Sequence, residues 1–127
     1  MNWVIASVLV AGLLPVVCAG LAKWGARSYD NHHPREWMAA QTGRRALANA
    51  AQANSLEAFP LYAVGVALAW MAQVDVALLQ GLALAFVLAR VAYIACYVTD
   101  RASLRSLVWL VGFAVSVSLY VLAARAV

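Results

Sequence analysis

The chain has 127 residues, of which 66% are hydrophobic and 11% charged, and its formal net charge is +4. Soluble domains carry roughly 45–50% apolar and about 25% charged residues, and a chain this short has too little interior to hide the difference. A water-soluble globule is therefore excluded, and residues 1–127 read as one membrane domain whose surface lipid must cover.

Four segments poor in charge are expected to span the bilayer, at roughly residues 2–24, 44–73, 76–99 and 104–125. A spanning helix needs about 20 mostly apolar residues. No strand-like alternation runs through these segments, and in hydrocarbon a helix satisfies its own backbone hydrogen bonds. The expected fold class is all-α, an integral membrane four-helix bundle.

The first span, Met1 to Ala22, carries no charged side chain. No basic residue precedes it, so it reads as a retained helix rather than a cleaved leader, although Ala19-Gly20 offers small residues for cleavage. Trp3 and Trp24 bracket it, about 32 Å apart on a helix, close to the thickness of a hydrocarbon core. Trp70 and Trp109 lie near the ends of later spans and read as interfacial anchors. Pro15 is expected to kink the first helix and Pro60 the second. Cys18 and Cys96 fall inside spans and read as small packing residues.

Residues Gly25 to Thr42 read as a polar loop, with Asn31, Pro34 and Gly43 as breakers. His32 and His33 lie in it as solvated side chains. No Cys/His spacing suits a metal. Lys23, Arg27, Arg35, Arg44 and Arg45 lie between the first two spans, and Arg101 and Arg105 between the last two. Seven of the nine basic residues thus share one side. The positive-inside rule makes that side cytoplasmic and places both termini away from it. Attraction to anionic lipid heads accounts for this basic rim, and no nucleic-acid partner is needed.

Charge inside a span is the informative signal, because an ionisable group in hydrocarbon is costly and faces a partner or a wet cavity. Glu57 lies about 18 Å along the second helix from Arg45, and Arg90 about 15 Å along the third from Asp100. The two helices run antiparallel, so the depths coincide, and the pair is expected to meet across the interface. Asn54 lies three residues before Glu57 on the same helix face. Arg90, Tyr93 and Tyr97 follow an i, i+3, i+7 stripe. With Asn49 and Gln52 these residues suggest a polar pocket between the second and third helices, open toward the cytoplasm, with Arg105 and Ser106 at its mouth. Polar residues that merely hold helices together are the plainer alternative.

These residues carry a resemblance. The stretch from Arg45 to Pro60, with Asn54-x-x-Glu57 followed by Pro60, resembles the second-helix signature of the membrane-associated proteins in eicosanoid and glutathione metabolism, the MAPEG family. Arg90-x-x-Tyr93-x-x-x-Tyr97 with Leu104-Arg105-Ser106 resembles the third helix and the start of the fourth, most closely in the prostaglandin E synthase and leukotriene-forming members. The resemblance covers the whole chain and implies a homotrimer with glutathione bound between subunits. By position, it implies that Asn54 and Glu57 hold the γ-glutamyl end. Arg90, Tyr93 and Tyr97 would line the peptide and cysteinyl part, with Arg105 beside the sulfur and Ser106 assisting the thiol.

Two positions depart from the family pattern: Ala50 stands where glutathione-using members usually carry Arg, and Ala58 where Tyr is common. The expected function is a glutathione-dependent membrane transferase or peroxidase-like enzyme acting on apolar electrophiles drawn from membrane lipid. The alternative is a non-catalytic binder of lipid or small molecules on the same scaffold, which Ala50 and Ala58 favour. A transporter using Glu57 and Arg90 as a relay is weaker, because no inverted repeat is present. With no eukaryotic retention signal, the expected home is a bacterial inner membrane.

Overall fold

The computed structural model describes residues 2–127. Among them are five helices: α1 (Trp3–Lys23), α2 (Pro34–Ala39), α3 (Gly43–Met71), α4 (Val76–Val98) and α5 (Ala102–Ala126). The expectation of four helices is corrected by α2, a single short helix that Pro34 opens inside the expected loop, where a proline at the first helical position costs no hydrogen bond. Neither Pro15 nor Pro60 ends its helix; α1 and α3 run through them.

The four expected spans are not alike. α1, α4 and α5 are long and apolar enough to cross a membrane. With its 29 residues α3 has ample length, but its first half carries Arg44, Arg45, Asn49, Gln52, Asn54 and Glu57, which lower its hydropathy. α3 packs against α1, α4 and α5, as α4 does against α1, α3 and α5. Of its polar residues, Arg45, Asn49, Gln52 and Asn54 are partly covered by protein, and Arg44 and Glu57 are exposed.

The buried face of α3 recurs at Ala48, Ala51, Ser55, Tyr62, Val66 and Ala69, in steps of three, four and seven. α4 answers with Leu79, Ala83, Phe86, Arg90 and Tyr93. Small residues dominate the α3 stripe, and in a membrane they let helix backbones approach where no hydrophobic force draws them together. Tyr62 fills the centre, fully buried, its ring stacked on Phe86 at 3.6 Å between centroids. Ser7 gives its one hydroxyl proton to the Val4 carbonyl, so the Tyr62 hydroxyl must donate to Ser7 Oγ, tying α3 to α1. Cys18 and Cys96 are buried free thiols.

Two tight turns make the rest of the bundle. After α3, the Gln73 and Val74 amides donate to the Trp70 and Ala69 carbonyls; after α4, Asp100 and Arg101 do the same to Tyr97 and Cys96. Each is a Schellman motif, and each places a non-glycine residue, Gln73 or Asp100, at φ 57°. α4 and α5 start almost at once and pack as hairpins. Asp75 accepts the Leu78 amide at 2.9 Å and caps α4.

Gly65 permits a close α3–α5 approach. A Cβ there would lie 2.9 Å from Tyr120 Cε2 and 3.2 Å from Leu119 Cβ. Tyr120 also donates its hydroxyl to the Leu61 carbonyl at 3.0 Å, fixing its ring against that spot. Gly65→Val is expected to destabilise the protein by about 1–3 kcal/mol through overpacking, read as a lower unfolding temperature in detergent. In the loop, the His32 backbone N–H, then the His33 ring, hold the Asp30 carboxyl below its ordinary pKa. A carboxyl lowered in the folded state supports that state above the unfolded value and ceases to as pH falls through the folded one. Amide exchange at His32 should therefore accelerate in acid relative to an Asp30→Asn control, whose exchange should lack this acid step.

Candidate functional site

Arg90 is the organising residue. It lies on the buried stripe of α4, 3% exposed, opposite the one polar member of the α3 stripe. Its guanidinium donates to Ser55 Oγ at 3.2 Å and stands over the Tyr93 ring at 4.3 Å. Glu57 is not its partner. The two share a cavity but form no ion pair; among the described residues the one carboxylate–imidazole contact is Asp30–His33 in the loop. The expected Glu57–Arg90 contact is corrected by helix geometry: residues at 100° intervals put Ser55 on the face that meets α4, while Glu57, two residues on, turns to an exposed position at the rim.

The cavity holds about 200 Å³ and is lined by residues of α3, α4 and α5, with Asn54, Glu57 and Arg90 as its charged and amide groups. Asn54 Nδ2 reaches Glu57 Oε2 only at 3.5 Å, and Asn54 Oδ1 is buried with no hydrogen-bond partner. A buried amide oxygen without a donor calls for an explanation, and a ligand N–H is one.

From Arg90 a ladder of cation and ring contacts continues along α4. Tyr93 meets Tyr97 edge to face at 5.5 Å. Arg105 lies over the Tyr97 ring at 4.3 Å. The Schellman turn at Asp100 makes this last contact, by folding the start of α5 back on the end of α4. Arg90, Tyr93, Tyr97 and Arg105 are thus brought into one line, with Asn54 and Glu57 at its inner end. Ser106 does not join them: it is exposed, and its hydroxyl donates to the Ala102 carbonyl of its own helix at 3.2 Å.

Nor do Asn49 and Gln52. They line a separate groove with Lys23 and Arg35, between α3, the end of α1 and α2. Gln52 and Asn54 are about 200° apart around the helix, so one polar run serves two sides.

Residues 3–125 match the MAPEG family. The chain belongs to that family. No curated protein and no solved structure matches it. MAPEG proteins include glutathione transferases and other members, and this MAPEG chain is an integral membrane protein with three strongly apolar helices.

Sequence reasoning missed Ser55, and the signal was present: it extends the Ala48–Ala51 spacing by four and is the polar exception on that stripe. It also missed the aromatic half of the cavity, Phe86, Trp109 and Phe113, because apolar rings in a span carry no mark that separates packing from a wall.

Removing the partner of a buried cation and removing the cation itself should differ. Ser55→Ala leaves Arg90 without its side-chain hydrogen bond and should cost about 1.5–3 kcal/mol. Arg90→Met removes the charge altogether and should leave stability equal or higher, as apolar replacement of buried charge often does. Thermal unfolding of both variants in the same detergent checks this ordering.

Proposed function

We propose that this MAPEG protein is a glutathione-dependent membrane transferase acting on apolar electrophiles. The observation that carries the reading is the line Arg90–Tyr93–Tyr97–Arg105, two arginines without acid partners, ending at Asn54 and Glu57. Glutathione offers the complementary groups: an ammonium, two carboxylates and a thiol.

The residues suit it by chemistry. Glu57 and the unpartnered Asn54 Oδ1 are acceptors for the γ-glutamyl ammonium. The unused donors of Arg90 suit a carboxylate, in a charge-assisted hydrogen bond stronger than a neutral one. Tyr93 and Tyr97 provide surface for the peptide. Arg105 is half-buried near the start of α5, and a guanidinium beside a thiol lowers the thiol's pKa and raises the fraction present as the nucleophilic thiolate. The thiolate then forms a carbon–sulfur bond to an electrophile that arrives from the bilayer, as the electrophile's leaving group departs with the electron pair of the bond it breaks. Ser106 has no part in this reading, because its hydroxyl is engaged on its own helix.

The protein works as a homotrimer in a bacterial inner membrane, with the basic loops cytoplasmic and both termini on the other side. The groove carrying Lys23, Arg35, Asn49 and Gln52 then faces the same aqueous compartment as Arg105.

A second reading, a non-catalytic lipid binder, is favoured by Ala50 and Ala58. It also draws on an apolar groove of about 790 Å³ between α1 and α3.

Titration calorimetry of the detergent-solubilised protein with glutathione, together with a conjugation assay, separates the two. The first reading expects saturable heat, and an Arg105→Ala variant whose conjugation at neutral pH falls about tenfold for each unit by which the thiol pKa rises. That variant's pH–rate profile should move to higher pH. Absence of heat, or equal turnover in Arg105→Ala, removes the first reading, and co-purified lipid would then support the second.

A further inference from the structure

Three helix ends at the basic rim enclose another cavity, and none of the residues assigned to glutathione lines it. It holds about 330 Å³ between the end of α1 (Leu21, Trp24), the start of α3 (Arg44, Arg45, Ala48) and the end of α4 (Val98). Two guanidiniums line it and no carboxylate does. The first turn of α3 contains no acid, and its N-cap Thr42 makes no side-chain hydrogen bond to it. Both arginines therefore stand near the positive end of a helix dipole with no acid of that turn to offset them.

Arg45 is held there on poor terms. Its Nη2 donates to the Trp24 carbonyl at a long 3.3 Å, and its Nε is buried with no hydrogen-bond partner. A buried donor without an acceptor is costly and calls for an explanation. A guanidinium has only donors to offer, so what completes it is an acceptor, and beside a second guanidinium that acceptor is anionic. By turning from the Trp24 carbonyl into the cavity, Arg45 would exchange one long bond for a pair of charge-assisted bonds to a phosphate, with Arg44 meeting the remaining charge.

The surroundings point to what carries that phosphate. Trp24 is 83% exposed at the end of α1, and tryptophan rings in such positions sit at the level of lipid headgroups. Leu21 lies one helical turn toward the bilayer core and Val17 another, both exposed and on one face of α1. A molecule with its phosphate at the arginines thus has an apolar strip on which to lay its chains. We propose that this cavity is a site for one anionic phospholipid, held by its phosphate between Arg44 and Arg45, and distinct from the diffuse attraction of the basic rim. The headgroup it selects carries no cation, because a choline or ethanolamine head would bring an ammonium toward two guanidiniums with no carboxylate to receive it. Neither the site nor its test involves glutathione.

Native mass spectrometry of the full chain, released from a neutral detergent, counts bound lipid directly. Titrated with dioleoylphosphatidylglycerol, the protein should bind it about tenfold more tightly than dioleoylphosphatidylcholine. Arg44→Gln and Arg45→Gln should each weaken phosphatidylglycerol about tenfold. Arg35→Gln removes the same charge from the same rim but at the separate groove, and should change the affinity by less than about twofold once salt screens distant charges. Arg44 is exposed and meets no carboxylate, so Arg44→Gln keeps the fold and decides by itself if Arg45→Gln does not fold. Equal affinity for the two lipids, or unchanged affinity in Arg44→Gln, overturns the proposal. Equal weakening in Arg35→Gln and Arg44→Gln also overturns it, since the rim as a whole would then attract the lipid. Inorganic phosphate, added at about a hundredfold excess over phosphatidylglycerol, separates the two sources of the anion. Failure to displace the lipid supports the assignment, and displacement makes the site one for free phosphate and overturns it.

Discussion

A guanidinium buried inside a helical bundle without a carboxylate beside it sets the terms for the rest of this molecule. Taking such a charge out of water costs several kcal/mol even after the protein relaxes. Arg90 recovers part of that from one hydroxyl and one aromatic face. Both come at the cost of helix choice. α3 must carry Ser55 on its packing stripe, and it must be polar enough along its first half that protein, not lipid, covers much of it. The less apolar character of α3 and the burial of Arg90 are two aspects of one arrangement.

The same arrangement explains why Glu57 stands apart. An acid in contact with Arg90 would neutralise it and leave little field in the cavity. With Glu57 turned to the rim, the site presents an acceptor and a cation to a ligand separately. A zwitterionic ligand with both signs of charge fits such a division better than a simple anion does.

Much of this was legible in the residues. The apolar runs predicted the long helices to within a few positions, since lipid leaves few other ways to satisfy a backbone. The stripes Asn54–Glu57 and Arg90–Tyr93–Tyr97 followed from helical spacing alone. What spacing could not give was the rotation of α3 against α4. That rotation is set by small residues such as Ala48 and Ala51, and it decides that Ser55, rather than Glu57, meets the arginine. It also parts Asn49 and Gln52 from Asn54, because polar residues crowded in sequence are spread around a helix. The short α2 escaped notice because Pro34 reads equally well as a loop breaker and as a helix opener.

The turn at Asp100 has a mechanical corollary. With so short a connection between α4 and α5, locked by two backbone hydrogen bonds, the two helices behave as one stiff lever. Tyr97 and Arg105 are thereby held face to face, one on each arm of the turn. A residue inserted in this turn would part that guanidinium from its ring, and leave Arg90 in its contacts with Ser55 and Tyr93.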